Sequence, residues 1–294
     1  MNTAVIMEVA RGVAPGLLLG LVACVAVVLW RKGRPASDAS GSWVAPLLMG
    51  VGCAAGAVWL EGNWRPGAGG SSWLPTMALL AGVCGVGRGE GERAGVAQWV
   101  ARAAALGCAA WMTVRSVAGM SPAEKSVIIA GLALLGSAVC TCLERGVKEA
   151  AAKPGAWPAA ATVVIVASAC SAVLILVAEV HTAAWMAGAV AAFFGACLGV
   201  GLATGRAMVG RGPACAAGVL LCGLLVHGWQ YGGASDVEVG LLGSLLVVSA
   251  AAPVVAPRAL GERGRGWGGV VACAVPAAAA MVIAAILRPP PTDI

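Results

Sequence analysis

The sequence predicts an all-α fold: a polytopic integral membrane helix bundle of about ten transmembrane helices, with both termini outside the cell. The composition, the apolar segments and the distribution of basic residues carry this prediction. Sixty per cent of the 294 residues are hydrophobic and only 11% are charged, whereas a soluble domain carries about 25% charged residues. A globule this apolar cannot cover its own surface in water, so the lipid bilayer is the expected solvent.

Ten apolar segments approach the roughly 20 residues that a spanning helix needs. Stretches rich in Gly, Pro, Ser and Asp, which are typical of turns, separate them. The third segment is the weakest, because it is short unless GGSSW joins it, and Pro75 is expected in its first turn. Nine helices are therefore the alternative within a single transmembrane domain, residues 1–294. The segments are 13–30, 43–60, 70–87, 96–114, 126–143, 157–178, 183–204, 213–231, 239–257 and 267–287.

The basic residues predict the orientation of these helices. With ten spans, thirteen Lys and Arg collect on one side and five on the other. Basic loops stay in the cytoplasm, which places the chain in the bacterial cytoplasmic (inner) membrane. The charged window RALGERGRG at 258–266 is interpreted as an orientation anchor, with a phosphate-binding site as the alternative. RKGR follows the first apolar run, which predicts an N-out helix and no cleaved signal peptide.

Tryptophans fall near the predicted helix ends, where amphipathic rings prefer to lie. They form two interfacial belts and require no cofactor. The predicted inner belt is Trp30, Trp43, Trp99, Trp157 and Trp267; the outer belt is Trp59, Trp64, Trp73, Trp111, Trp185 and Trp229.

Several function classes are disfavoured by the motifs. The eleven Cys lie in apolar runs without a C-x-x-C pair, so neither a disulfide framework nor a zinc site is predicted. The sequence has no Walker loop, H-E-x-x-H or G-x-S-x-G motif. The net charge of +6 is not arranged as a nucleic-acid patch. No catalytic residue, metal or cofactor is predicted, and a non-enzyme is favoured.

Two further patterns concern packing. RGEGER at 88–93 resembles RALGER at 258–263, which suggests a weak parallel repeat of helices 1–4 in helices 7–10. The alternative is that the two segments are unrelated short cytoplasmic loops, each basic because basic loops stay in the cytoplasm.

G-x-x-x-G spacing, which brings membrane helices close together, predicts a tight bundle and permits a homo-oligomer or membrane-protein partners. The pairs are Gly16 and Gly20, Gly52 and Gly56, Gly195 and Gly199, and Gly201 and Gly205.

Four residues are candidates for substrate binding. Arg102 is the deepest ionisable residue, and snorkelling to the inner interface is the favoured interpretation over anion binding or gating. His227 lies near the outer interface, where a local hydrogen bond is the simpler interpretation. Glu179 and His181 fall in the outer loop between helices 6 and 7. One interpretation groups them with His227, Glu61, Asp236 and Glu238 in an outer-face cluster that would favour a cation or an amine. Separate, solvated loop residues are the favoured interpretation.

A small-molecule transporter or permease is the favoured function, because the chain has many spans, short loops and interior Gly and Pro. The expected lack of a deep acid argues for a facilitator and a weakly polar substrate. Two alternatives stay open: a structural or assembly subunit of a larger membrane complex, and a membrane enzyme acting on a lipid-linked substrate through Glu179, His181 or Asp236.

The predicted orientation is testable with reporter fusions. Fusions after Lys32, Gly89 and Ala259 should all report a cytosolic location, because each position follows a predicted inward-running helix. Paired cytosolic and exported reporters serve as mutual controls. Export at two of the three positions would contradict the assignment of spans and sides.

Overall fold

The computed structural model describes residues 3–30, 44–62, 64, 70–86, 94–115, 120–151, 157–205, 208, 210–232, 235–260 and 267–287. These residues form ten α-helices and one 3-10 turn and contain no strand. The predicted all-α class is therefore confirmed. The helices are α1 Thr3–Trp30, α2 Val44–Glu61, α3 Leu74–Val86 preceded by the 3-10 turn Gly70–Trp73, α4 Ala94–Val114, α5 Pro122–Ala151, α6 Trp157–Leu176, α7 His181–Thr204, α8 Arg211–Tyr231, α9 Asp236–Leu260 and α10 Trp267–Leu287.

Six of these helices are long and apolar enough to cross a membrane, by length and composition. They are α1, α2, α5, α7, α8 and α10. Shorter apolar stretches lie at Ser71–Val86, Ala160–Leu176 and Gly240–Val255. The six helices suit a multi-pass membrane protein, while the count of ten spans and the sides of the termini stay predictions.

Helix α5 is longer than the sequence predicts at both ends. The predicted segment 126–143 becomes Pro122–Ala151, because residues 144–151 contain no Pro and are followed by Pro154. Glu144, expected in a basic loop, therefore belongs to the helix. At the other end, the Ser121 main-chain N–H donates to Glu124 at 2.7 Å, while the Glu124 N–H donates to the Ser121 hydroxyl at 3.3 Å. This reciprocal capping box starts the helix.

The helices run alternately between two ends of the bundle. The basic end is defined as the end at which α1, α3, α5, α7 and α9 terminate, and the acidic end as the opposite one. Contacts between helices support this arrangement: Gly85, late in α3, meets Gly212, early in α8. Trp73, before α3, meets His227, late in α8. Helix α8 packs against α3, α4 and α5, and these four helices surround the site described below.

Glycine allows α1 to lie directly against α7. A Cβ on Gly16 would be 2.4 Å from the Ala189 carbonyl oxygen, and one on Gly20 would be 2.8 Å from that of Phe193. Such distances leave no space for a side chain, so the two backbones are in contact. Close packing by this predicted pair is confirmed.

The other predicted glycine pairs differ from one another. Gly56 lies against the Gly12 carbonyl of α1, as expected for a packing residue. Gly195 and Gly199 have no atom within 4 Å of a built Cβ, so they do not pack helices together among the described residues. Gly205 has a φ of 66° and caps the end of α7, where a left-handed backbone favours glycine.

The exterior of the bundle carries large apolar side chains, as a lipid-facing surface requires. Val96, Val127 and Ile286 are each more than 70% exposed. Five of the Trp assigned to the predicted belts have exposed rings: Trp59, Trp64, Trp99, Trp111 and Trp267. Trp73 contradicts the belt prediction, because its ring is 1% exposed and packs inside the bundle.

Replacement by alanine should have opposite effects at a glycine that contacts another helix and at a glycine that faces open space. Gly16→Ala should destabilise the protein by about 1–3 kcal/mol, since the new methyl group overpacks the α1–α7 contact. Gly199→Ala is the matched control in open space and should be neutral or stabilising by up to about 1 kcal/mol, because alanine favours a helix. Thermal unfolding in detergent measures both, and equal shifts for the two variants would contradict the close contact.

Candidate functional site

A buried ion pair joins α4 to α5. Arg102 lies eight residues after the start of α4, which is about 12 Å along the helix axis. Its Nη2 atom pairs with Oε1 of Glu144, and the two residues are 4% and 3% exposed. The expectation that Arg102 snorkels to the interface is therefore wrong, because a counter-charge inside the bundle replaces water. Glu144, which the sequence placed in a loop, is a buried acid next to the last residue of the apolar span Pro122–Arg145.

Cysteine thiols surround this pair. The Cys84 thiol donates weakly to the Ala101 carbonyl oxygen at 3.8 Å, and the Cys140 thiol contacts that of Cys222. Arg102 lies near both Cys84 and Cys140. The Arg102 Nε atom is buried without a hydrogen-bond partner among the described residues, so the guanidinium keeps one unused donor facing a soft, weakly polar environment.

Small and flexible side chains fill the middle of the same four helices. A Cβ on Gly223 of α8 would lie 2.1 Å from the Met77 Cε atom and 3.7 Å from the Ala109 Cβ. The side chain of Met77 therefore occupies the space that glycine leaves. Between this level and the ion pair, Gly218 packs on Cys140. We call this line of contacts, from Trp73 and His227 to Arg102 and Glu144, the axial seam.

Three aromatic rings close the acidic end of the axial seam. His227 lies edge-on to Trp73, with ring centroids 5.6 Å apart, and tilted against Tyr231 at 4.7 Å. His227 and Trp73 are each 1% exposed, whereas Tyr231 is 37% exposed. The His227 Nδ1 and Trp73 Nε1 atoms have no hydrogen-bond partner among the described residues. The expected local hydrogen bond of His227 is therefore not made through Nδ1.

The loop candidates lie apart from the rings in the contacts that the structure describes. Glu179, in a left-handed backbone with φ of 55°, is exposed, and so is His181, the first residue of α7. Glu61 accepts a hydrogen bond from the Thr182 hydroxyl, which joins α2 to α7. Of the outer-face cluster, His227 is thus turned into the bundle, away from solvent.

Glu238 has a structural partner of its own. The Ser235 main-chain N–H donates to its carboxylate at 2.7 Å, and the Ser235 hydroxyl donates at 2.9 Å. These bonds hold the pKa of Glu238 below its ordinary value and start α9 before its apolar stretch. The side chain of Asp236, the remaining member of the outer-face cluster, lies outside the described residues.

Sequence reasoning missed Glu144 and Trp73. A buried arginine requires a counter-charge, and the acids near the basic end are the candidates for it, but the predicted segment 126–143 stops one residue before Glu144. For Trp73 the sequence offers no comparable pattern. Among the described residues no group of three His, Cys, Asp or Glu could hold a metal ion. Comparisons with protein-family models, curated proteins and solved structures give no match.

The ion pair predicts a strongly non-additive pair of substitutions. Arg102→Met should lower the thermal unfolding midpoint by roughly 10 °C, because it leaves Glu144 buried without its counter-charge, at a cost of about 3–5 kcal/mol. Arg102→Met combined with Glu144→Leu should regain most of that loss, since both charges are removed. Thermal unfolding in detergent measures the cycle.

The control for this cycle is Arg145→Gln, which changes the exposed neighbour of Glu144 and should leave the midpoint within about 1 °C of the unsubstituted protein, as expected for a surface site. A double variant as unstable as the sum of its single variants would contradict a buried pair.

Proposed function

We propose that the chain is a small-molecule transporter or permease of the bacterial cytoplasmic membrane, whose substrate passes along the axial seam. The buried Arg102–Glu144 pair carries this proposal. Such a pair adds little net stability, since desolvation of two charges offsets their attraction. Ionisable groups at membrane depth instead mark pathways for substrates and ions. A pathway therefore explains the pair better than packing does.

The lining of the axial seam supports movement between the four helices. Met77 has an unbranched, flexible side chain that adapts to irregular space, and its terminal atoms lie over Gly223. Rotation of this one side chain vacates the space above glycine without moving a backbone. Gly218 lets α8 approach Cys140 of α5, and Gly223, on another face of α8, leaves the space that Met77 of α3 occupies.

The two ends of the seam define a closed state. At the basic end, α4 and α5 are held together by the Arg102–Glu144 pair, so opening requires the two charges to separate and to be solvated. At the acidic end, His227 and Trp73 are buried and Tyr231 lies over His227. Because the charge of Glu144 is balanced by Arg102, the seam favours an uncharged, weakly polar substrate over an ion.

Flux measurements in proteoliposomes test this proposal. Glycerol, urea and erythritol serve as uncharged solutes, and light scattering after an osmotic step follows their entry. The protein should raise the entry of at least one solute by fivefold or more over empty liposomes. The variant Arg102→Met/Glu144→Leu should reduce that increase about tenfold while staying folded, because the passing solute loses its polar partners.

Two controls separate transport from folding. Arg145→Gln should transport like the unsubstituted protein, and the exchanged pair Arg102→Glu/Glu144→Arg should retain more flux than the apolar variant. Entry no faster than in empty liposomes, or full activity of the apolar variant, would reject transport along this seam.

A structural or assembly subunit is the second candidate. The observation that favours it is the outer face of α7, where a Cβ built on Gly195 or Gly199 would meet no described atom within 4 Å and Leu202 is 60% exposed. A G-x-x-x-G face left unused within the chain is suited to a helix of another membrane protein. A membrane enzyme using Glu179 and His181 gains no such support, since both side chains are exposed and make no described polar contact with one another.

A further inference from the structure

We propose that the acidic end of the axial seam is a binding site for a small uncharged molecule that carries a hydroxyl or a primary amide, held between Trp73 and His227. The inference rests on the proposed function, because it names the chemical class of the transported substrate. It also assigns Trp73, which sequence reasoning placed in a membrane belt, to substrate binding.

Two unpartnered polar atoms define the site. Trp73 Nε1 and His227 Nδ1 are both buried without a hydrogen-bond partner among the described residues, in side chains that are 1% exposed. A buried donor or acceptor that lacks a partner bears its full desolvation penalty, and native proteins rarely leave one unexplained. The two rings are in edge-to-face contact, with centroids 5.6 Å apart and an angle of 72° between their planes, so both unpartnered atoms belong to one cluster of side chains.

The chemistry of these atoms selects the ligand. An indole nitrogen only donates, so the ligand must offer an acceptor to Trp73. The imidazole Nδ1 accepts in one neutral tautomer and donates in the other. A hydroxyl group or a primary amide both donates and accepts, and therefore satisfies Trp73 together with either tautomer of His227.

The surroundings of the site select against ions. The two rings described against His227 are those of Trp73 and Tyr231, which are uncharged, and the imidazole itself is buried. A bound cation or anion would be buried without a counter-charge, which is costly in an apolar interior. An uncharged molecule avoids that cost and gains apolar contact with the rings.

Tyr231 gives the site an entrance. Its ring lies over His227 at a centroid distance of 4.7 Å and is 37% exposed at the last residue of α8. Rotation of Tyr231 opens a route from the acidic end to the two buried atoms. One helical turn farther along α3, Met77 is the next side chain of the seam, so a molecule released by Trp73 enters the transport path directly.

Histidine-specific NMR tests the site without measuring transport. The chain contains two histidines, so 15N-histidine labelling in lipid nanodiscs yields one reporter at the site and one at exposed His181. Glycerol and acetamide should each shift the His227 Nδ1 resonance with saturation, while His181 does not move. Ethylammonium and acetate should cause no saturable shift at either residue.

Two tryptophan variants provide the matched comparison. Trp73→Phe keeps the aromatic ring, removes the donor, and should weaken the apparent affinity at least fivefold, as expected for one lost hydrogen bond. Trp111→Phe changes an exposed ring near the same end and should have no effect. Equal, unsaturable shifts at both histidines, no shift at all, or a preference for ethylammonium would overturn the proposal.

The outcome also separates the two proposals. Saturable binding at His227 in a protein that transports none of the solutes would retain the binding site and reject transport. Flux of glycerol through the protein without any change at His227 would retain transport and reject this site.

Discussion

Polar groups inside this bundle must find their partners within the protein, because neither the apolar side chains around them nor a bilayer offers hydrogen bonds. Helices meet this requirement for the main chain. The buried Ser137 hydroxyl donates to the Ala133 carbonyl of its own helix at 2.6 Å, and Ser249 donates across to the Cys273 carbonyl at 2.6 Å. The Arg102–Glu144 pair extends the same rule from hydrogen bonds to charge.

This rule is incompletely met at both ends of the axial seam, and also at Trp185 Nε1, which lies outside the seam where α7 packs on α1. Trp73 and His227 each keep an unpartnered polar atom at one end of the axial seam, and Arg102 keeps an unused donor at the other. Between these ends lie glycines, thiols and Met77. Contacts made by such residues rearrange more readily than contacts between interlocked branched side chains. A closed path with polar groups at both ends and deformable contacts between them is the physical basis of the transport proposal.

Close backbone contact has a different role in the rest of the molecule. Apolar side chains gain little by leaving lipid for one another, so contacts that glycine permits between helices provide much of the packing. At Gly16 and Gly20 that contact joins α1 to α7 inside the chain. Gly195 and Gly199 have the same spacing, but a Cβ on either would meet no described atom within 4 Å. The spacing alone therefore does not distinguish a glycine pair inside the bundle from one on its surface.

The sequence by itself determined the helical class, the approximate positions of the helices and the apolar character of the chain, because hydrophobic runs and turn residues act locally along the chain; it did not determine the full length of α1 or α5. It also singled out Arg102, by its depth, and His227, as a titratable residue near the outer interface. Only the tertiary structure decided that Glu144 neutralises Arg102 and that Trp73 packs on His227. Such pairings depend on which helices become neighbours and how each is rotated about its axis. Both depend on packing between segments that are distant in the sequence, and composition and periodicity contain no information about that packing.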